Sequence, residues 1–405
     1  MIDTNIDTNI DTNIDPRFPS ESHLIIDPLA RKLAIRVLAT VKPLTRHKVT
    51  RGGVPQHLSH LTLVTLEDGW LDLAASDGER YARMTIARSD DTRSKWAIMA
   101  PSADIAAWLK GAKAREVSSV VISNVKLIVT SGGVTRDIGL PEHDTKVFDG
   151  LEGLAYDRGD SGVEFEVPWD IVPNIAIAAS DDSTLPALTG VHVEWTTSVN
   201  GTTELEALAA TDRYRLHTFE APDTLPGTFG SANVPAKWLL AASKLPSGWL
   251  YITERWAVTE ATLSTASGGF GFRLTTRLLD AEFPKWRALL PLESSGPMTF
   301  DAADMREAVK PFAKAYSNST HDPVIIDLDA KTLSVRDGSL VVAAPFIVAG
   351  LDMPRVSGWN PRYLLAALEG LEGEVAMACP AANKPAILTS SSSPVKRLVM
   401  PVRTI

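Results

Sequence analysis

The stretch that decides the fold is Leu-Ala-Ala-Thr-Asp at residues 208–212, because the chain contains it more than once. A close copy, Leu-Ala-Ala-Ser-Asp, occurs 135 residues earlier at 73–77. A weaker copy, Leu-Ser-Val-Arg-Asp, occurs 125 residues later at 333–337. A motif that returns at intervals of this length indicates that a whole domain is repeated.

A second marker advances in step with the first. A proline precedes a run of Leu and Ala with one Trp or Tyr at Pro101, Pro235 and Pro361, and these prolines are 134 and 126 residues apart. Leu and Ala are common, so either marker alone is weak. Two independent markers with nearly equal spacings predict three related domains.

We place these domains at residues 24–155, 156–292 and 293–405. The length of 405 residues suits them, because domains commonly contain 100–150 residues. Residues 1–23 begin with three Ile-Asp-Thr-Asn repeats, a low-complexity acidic pattern that matches neither helix nor strand. We predict a disordered tail there and exclude it from the fold.

Each repeat has the same predicted order: an amphipathic helix, alternating strands, a helix opened by proline, then more strands. In the first repeat, Asp27-Pro28 is a plausible helix start, and the helix continues to about Val41. Strands are predicted at Leu61–Leu66, Trp70–Ala74, Val120–Ile122 and Lys126–Thr130. Pro173 and Pro311 are expected to interrupt or end their helices. The predicted class is therefore α+β with largely antiparallel sheets.

Composition excludes several classes of protein. Cys379 is the single cysteine, so an intramolecular disulfide framework and a thiolate metal cluster are excluded, and a reducing cytoplasm is the simplest setting. No run approaches 18 apolar residues, and the N-terminus lacks the pattern of a secretion signal, so we expect no membrane partner. A net charge of −9 argues against a uniformly basic nucleic-acid binder, but an acidic protein can still carry one basic face.

Basic residues follow the predicted helices in two of the three repeats, whereas residues 168–180 of the middle repeat contain no Lys or Arg. Arg306, Lys310 and Lys314 have i, i+4 and i+8 spacing, which places them on one stripe of a helix. The other members of this set are Arg31, Lys32 and Arg36 in the first helix, Lys110 and Lys113 in the second, and Lys237 and Lys244 in the middle repeat. These side chains either contact phosphates or form a solvated surface, and their recurrence favours the first interpretation.

Enzyme motifs in the chain are incomplete. Gly159–Gly162 reads Gly-Asp-Ser-Gly, like the nucleophile segment of trypsin-like proteases, but it lies in a predicted linker and lacks an assembled base. The glycine-rich stretch 267–271 suits a hairpin turn better than a dinucleotide loop, and Asp181-Asp182 suits a solvated loop better than a metal site. We therefore predict no catalysis, no metal and no cofactor.

Three stretches carry a resemblance to the bacterial DNA polymerase III sliding clamp, the beta subunit family. Residues 210–216, Ala-Thr-Asp-Arg-Tyr-Arg-Leu, resemble the family's Ala-Thr-Asp-Gly-x-Arg-Leu. Residues 280–291 resemble its Gly-x-Phe-Pro-x-Tyr-x-x-Val-x-Pro segment, and residues 398–403 resemble its Val-Met-Pro-Met-Arg ending. The resemblance covers nearly everything after residue 23 and suggests a divergent bacterial or phage-borne member.

This resemblance implies a homodimer that closes into a ring of six domains, with helices lining the hole and antiparallel sheets outside. The basic helix residues would then surround duplex DNA and contact its phosphates independently of sequence. Arg46, Lys48 and Arg51 match the place where clamps carry a DNA-touching loop, although an ordinary basic turn explains them equally well. The implied partners are the DNA polymerase III alpha subunit, other clamp-binding-motif proteins and the clamp loader.

A peptide-binding groove is also implied between the second and third domains. Its residues here, carried over one by one, are Leu188, Thr211, Arg215, Leu216, Pro284, Leu289, Pro385, Val399, Met400, Pro401, Val402 and Arg403. Arg213 replaces the family's glycine, and Ala288 stands where an arginine is frequent. Peptide preference is therefore expected to differ from the Gln-x-x-Leu-Phe type.

The expected function is a DNA sliding clamp, a processivity factor that tethers the replicative polymerase. Two alternatives remain open at this point. One is a scaffold with the clamp fold that does not encircle DNA, and the other is a cryptic hydrolase or nuclease.

Overall fold

The computed structural model describes residues 22–26, 28–41, 61–89, 96–111, 117–122, 126–131, 134–139, 162–222, 226–246, 248–265, 268–290, 296–315, 322–348 and 353–403. These residues form two compact units. Unit 1 comprises the described residues of Met1–Gly162 together with Lys244–Arg277. Unit 2 comprises those of Val163–Ser243 and Leu278–Ile405. The N-terminal repeat lies outside the described residues.

Strands dominate both units. The strands are β1 Ser22–Ile26, β2 Leu61–Glu67, β3 Trp70–Ser76, β4 Arg80–Ser89, β5 Trp96–Pro101, β6 Val117–Ile122, β7 Lys126–Ser131, β8 Val134–Gly139, β9 Val163–Glu166, β10 Gly190–Ser198, β11 Thr203–Thr211, β12 Arg215–Glu220, β13 Gly227–Pro235, β14 Trp249–Ile252, β15 Trp256–Thr265, β16 Gly268–Arg277, β17 Met298–Asp301, β18 Val324–Asp327, β19 Thr332–Ser334, β20 Val341–Ala343, β21 Phe346–Val348, β22 Val356–Trp359, β23 Glu374–Ala378, β24 Ala386–Ser390, β25 Ser393–Val399 and β26 Pro401–Val402. The helices are α1 Pro28–Val41, α2 Ser102–Gly111, α3 Val172–Ala176, α4 Ala236–Ala242, α5 Ala302–Ala315 and α6 Pro361–Leu368. Two short 3-10 helices occupy Pro186–Thr189 and Trp286–Leu289.

In unit 1, helix α1 covers a sheet in which β4 pairs with β1, β3 and β16. Leu33, Val37 and Val41 point to the buried side of α1, whereas Lys32 and Arg36 are exposed, as the 3.6-residue period predicts. Strands β15 and β16 form a hairpin in which Thr265 pairs with Gly268. This pairing confirms a hairpin here, but Gly268–Gly271 belong to strand β16, so the turn predicted for residues 267–271 was placed too far along the chain.

In unit 2, one sheet runs in the order β13-β10-β11-β12-β25-β24-β23-β17-β21. Its strands β10 to β12 and β12 to β25 pair antiparallel. Helices α3 and α4 pack on the β10–β13 part, and α6 packs on β25. The loop that carries Phe283 and Trp286 covers Leu216 and Leu398 in a separate small core. A second sheet, β20-β19-β18-β22-β26, completes the unit.

The same tight turn occurs at each of the three copies of the repeated motif. The Oδ1 atoms of Asp77, Asp212 and Asp337 each accept a hydrogen bond from the backbone N–H two residues later, at 3.0, 2.9 and 2.9 Å. Such Asx turns need the side-chain oxygen of an aspartate or asparagine at this position. The aspartate that ends each copy of the repeated motif is therefore explained by the turn that it forms.

The residue after each aspartate has a left-handed backbone. Its φ is 90° at Gly78, 82° at Arg213 and 70° at Gly338. Glycine adopts this conformation without steric cost, but a side chain with a Cβ does not. Arg213 is therefore the one strained copy among these three turns.

The expectation that two prolines interrupt or end helices was wrong. Pro173 lies in the first turn of α3, where a missing N–H costs nothing. Pro311 lies inside α5, which continues to Ala315. The side chains of Glu307 and Pro311 are exposed, while Val309 and Phe312 are buried. Burial of that apolar face holds the helix together across the lost hydrogen bond.

Candidate functional site

The pairing of β12 with β25 brings two of the quoted motifs together. Arg215 pairs with Val399, and Leu216 pairs with Leu398. Directly beyond this ladder, the Met400 N–H donates to the carbonyl of Tyr214 at 2.8 Å. Pro401 and Val402 then pair with β22, at Trp359 and Gly358. The C-terminal segment 398–402 is thus held between the repeated Asp212 turn and the second sheet of unit 2.

The side chains of the Asp212 turn are fixed before any partner arrives. The Thr211 hydroxyl is buried and donates to the carbonyl of Arg215 at 2.6 Å. Arg215 Nε donates to Asp212 Oδ2 at 3.0 Å, and its guanidinium lies 5.0 Å from the ring centroid of Tyr363. This partly buried ion pair leaves Arg215 oriented toward an aromatic surface.

Two tyrosines that we did not predict as site residues belong to this surface. Tyr214 and Tyr363 stack with ring centroids 5.9 Å apart and an interplanar angle of 15°. The Asn360 side chain caps α6 by accepting the N–H of Arg362 at 2.9 Å, which fixes the helix that carries Tyr363. Burial, followed by the charge of Asp212, raises the pKa of Tyr363 above its ordinary value. Tyr214 lies in the quoted stretch 210–216 and Tyr363 lies in the marker that begins at Pro361, so their positions were the signal that sequence reasoning overlooked.

Large apolar side chains remain exposed around these elements. Tyr214 is 51% exposed, Leu289 is 50% exposed and Met400 is 36% exposed. Tyr214 and Met400 are neighbours through their backbone hydrogen bond, and contiguous exposed apolar side chains are characteristic of a surface that binds a partner.

The other predicted groove residues divide into three groups by exposure. Leu188, Leu216 and Val399 are buried. Pro284 and Arg403 are exposed, whereas Pro385, Pro401 and Val402 are half-buried.

The loop that carries Pro284 and Leu289 is anchored by a buried carboxylate. Trp286 Nε1 donates to Glu194 Oε1 at 3.1 Å, and Arg287 Nη2 contacts Glu194 Oε2 at 2.6 Å. Arg287 also lies over the Trp286 ring at 4.3 Å from its centroid. Burial alone raises the pKa of Glu194, but hydrogen bonds from His192, Arg287 and Trp286 outweigh it and hold the pKa at about 2. Glu194 is therefore charged at neutral pH and keeps the loop on the sheet.

The predicted basic residues of unit 1 lie on its helices where they are described. Lys32, Arg36 and Lys110 are exposed, and Arg31 is half-buried. Lys244 is exposed, and its carbonyl accepts a hydrogen bond from Arg36 Nη1 at 3.3 Å. Arg46, Lys48, Arg51 and Lys113 lie outside the described residues.

In unit 2, the three basic residues of α5 differ in their exposure and in their contacts. Lys310 and Lys314 are exposed, and Lys310 pairs with Glu307 one turn away. Arg306 is half-buried and donates to the carbonyls of Leu368 and Leu371 at 2.8 and 2.7 Å. Arg306 thus ties α5 to the end of α6. Lys237, on α4, pairs with Asp181 at 2.9 Å.

In the described part of the chain, no group of three His, Cys, Asp or Glu side chains could hold a metal ion. Cys379 is buried, and burial raises the pKa of its thiol to about 11, so it stays protonated at neutral pH. Among the same residues, no helix has the length and hydropathy needed to cross a bilayer. Ser161 lies outside the described residues.

Residues 164–285 match the family described as DNA polymerase III beta subunit, central domain. A beta sliding clamp of Streptomyces coelicolor is 33% identical over 253 residues, which are 59% of this chain and 65% of that protein. The chain thus spans slightly less than two thirds of this relative's length.

Crystal structures share the fold. The DNA polymerase III beta subunit of Thermotoga maritima has a TM-score of 0.71 at 18% identity, over 94% of this chain and 99% of that one. The sliding clamp of Pseudomonas aeruginosa bound to griselimycin has a TM-score of 0.69 at 18% identity, over 95% of this chain and 100% of that one. With its recurring turn and antiparallel sheets, the chain has the sliding-clamp fold, and its residues 164–285 match the central domain of the DNA polymerase III beta subunit.

Proposed function

We propose that this chain works in the cytoplasm as a DNA sliding clamp, a non-catalytic ring that encircles duplex DNA and tethers the replicative polymerase. The observation that carries the proposal is the division of the unit 2 sheet into two faces. Helices that bear exposed lysines cover one face, and the loop at Phe283 and Trp286 covers part of the other. A sheet with its basic helices on one side suits a ring whose inner surface meets phosphates.

The proposed ring has three domains per chain, with boundaries at residues 24–155, 156–292 and 293–405. Two chains associate head to tail, so that the first domain of each meets the third domain of the other. Closed two-fold symmetry satisfies both interfaces at once. The clamp loader opens this ring, and polymerase and other clamp-binding-motif proteins bind it through short peptides at the Tyr214 and Met400 surface.

Assembly gives the first prediction. Sedimentation velocity at micromolar concentration is expected to show a stable dimer, because two identical interfaces must separate before the ring falls apart. A stable monomer at this concentration would contradict the ring.

A test of whether the protein encircles circular DNA distinguishes the clamp from its alternatives. The protein is loaded on nicked circular DNA by a matching clamp loader, and the circle is then cut. A ring is expected to slide off the new ends, and blocking both ends with a bound protein should restore retention. Retention on unblocked linear DNA would indicate ordinary binding, and failure to load with several competent loaders would favour a scaffold that does not encircle DNA. Metal-dependent cleavage of the circle would indicate a nuclease.

The basic stripe of α5 gives the second prediction. Reversing Lys310 and Lys314 to Glu is expected to weaken retention on circular DNA and to flatten its dependence on salt, by about 0.9 in the log–log slope for each lost phosphate contact. Arg306 stays unchanged because it bonds the end of α6.

A control variant carries the same change in charge on the opposite face. Lys285 lies on the loop that covers Leu216 and Leu398, and Lys396 pairs with Glu220 on β12. Reversal of these two lysines is expected to leave retention intact. Equal effects from the two double variants would assign Lys310 and Lys314 to an ordinary solvated surface.

A further inference from the structure

Arg213 occupies a backbone conformation that the other two copies of its turn fill with glycine. The same Asx turn carries Gly78 and Gly338 in its other copies, with φ of 90° and 70°, whereas Arg213 has φ of 82°. A long side chain in this region costs free energy that glycine avoids. Strained residues of this kind persist where their side chain serves a function.

The strained copy of the turn, at Asp212 and Arg213, is followed directly by the exposed Tyr214. The Arg213 guanidinium lies 5.8 Å from the ring centroid of Tyr214, which is half-exposed and stacks on Tyr363. The side chain thus extends along the surface that the proposed function assigns to peptides.

Arg213 is also the arginine of this turn whose guanidinium can bind a group from outside the chain. Arg215 already forms an ion pair with Asp212, with 3.0 Å between Nε and Oδ2. Arg213 is exposed, and its guanidinium forms no ion pair within the described part of the chain. The nearby Asp182 is held by Thr184, whose hydroxyl and N–H, with a further contribution from Arg213, lower its pKa. The planar guanidinium therefore keeps donors free for a carboxylate from outside.

We infer that Arg213 is a specificity-determining residue that binds an acidic side chain of the partner peptide. The inference rests on the proposed peptide site and adds the chemistry of its ligand. A peptide whose apolar residues lie on Tyr214, Met400 and Leu289 would present a Glu or Asp to the guanidinium at the rim. Stacking on Tyr214 limits the freedom of Arg213, so less entropy is lost when the ion pair forms.

The test compares affinities for peptides that differ only in charge. Fluorescence anisotropy is measured with labelled peptides of the Gln-x-x-Leu-Phe type, in which each variable or flanking position in turn carries Glu, Gln or Lys. The wild-type chain is expected to bind one Glu peptide about threefold to tenfold more tightly than its Gln counterpart at low salt. This ratio should fall as ionic strength rises.

Two variants test whether Arg213 causes the difference in affinity between the Glu peptide and the Gln peptide. In Arg213→Gly the Glu-to-Gln ratio is expected to approach one, and in Arg213→Glu the preferred peptide should carry Lys instead. Phe229→Ala, an exposed aromatic change on β13, should keep the wild-type ratio. Arg213→Gly should also melt at the same temperature as the wild type or higher, because glycine relieves the strain.

The outcomes separate the inference from the proposed function. An unchanged Glu preference in Arg213→Gly, or a lower melting temperature, would overturn the role of Arg213 while leaving the peptide site intact. Failure of every peptide to bind the wild-type chain would overturn the peptide site itself, and the inference with it.

Discussion

A chain truncated after Val399 is expected to lose on the order of 100-fold in affinity for Gln-x-x-Leu-Phe-type peptides, because a few anchor residues carry most of the energy of such interfaces. The deletion removes the exposed side chain of Met400 and its backbone bond to Tyr214. It also removes Pro401, Val402 and Arg403, which form the end of the proposed groove. Anisotropy with a labelled polymerase peptide measures the loss.

The truncated chain is expected to keep its fold. The deleted strand β26 is the edge of its sheet, and the main core of unit 2 includes Val399 but none of the deleted residues. Sedimentation and circular dichroism run beside the binding assay check this point. Full binding after the deletion would place the site elsewhere, and loss of the dimer would make the tail a structural element.

A large pH effect on stability is expected from His217. This side chain is fully buried opposite Arg397, with its Nδ1 2.5 Å from the carbonyl oxygen of Asn174. Burial, the largest cause, and the charges of Arg397 and Arg215 lower the pKa of His217 to about 3, although the Asn174 carbonyl acts in the opposite sense. In the unfolded chain the pKa is about 6.5.

The sign follows from which state binds the proton. Below pH 6.5 the unfolded chain takes up a proton at His217, and the folded chain does not until pH nears 3. Stability is therefore lost as the pH falls through this window, by about 1.4 kcal/mol per pH unit and on the order of 5 kcal/mol in total.

Urea titrations between pH 7 and pH 4.5 test this effect in the wild type and in His217→Gln. The glutamine keeps a neutral donor for Asn174 but does not titrate, so its urea midpoint should depend less on pH. Taking the difference between the two proteins cancels the titration of all other groups. Parallel pH profiles would show that His217 has an ordinary pKa in the folded state.

Sequence reasoning predicted the local structure well, since local structure depends on neighbouring residues. Helix α1 begins at Pro28 and ends at Val41 as expected. The strands predicted from Leu61 and Trp70 were placed within two residues of their ends. The repeated aspartates marked real turns because an Asx turn needs its side-chain oxygen at a fixed offset.

Contacts between distant residues were beyond the reach of the sequence. The bond from Trp286 to Glu194 joins positions 92 residues apart, and Arg306 bonds carbonyls more than 60 residues away. No local pattern distinguishes such an arginine from a solvated one. The stacking of Tyr214 on Tyr363 has the same origin, so the groove was predicted by resemblance and its aromatic surface was not predicted at all.

The ladder between β12 and β25 also constrains the order of events during synthesis. Leu216 pairs with Leu398, so the two halves of the ladder emerge from the ribosome 182 residues apart. Pairings between such distant segments form late, after local hairpins such as β10–β11. A nascent chain that has completed β12 therefore displays Tyr214 without Met400. The proposed peptide surface is therefore complete only after the segment around residue 400 has been translated.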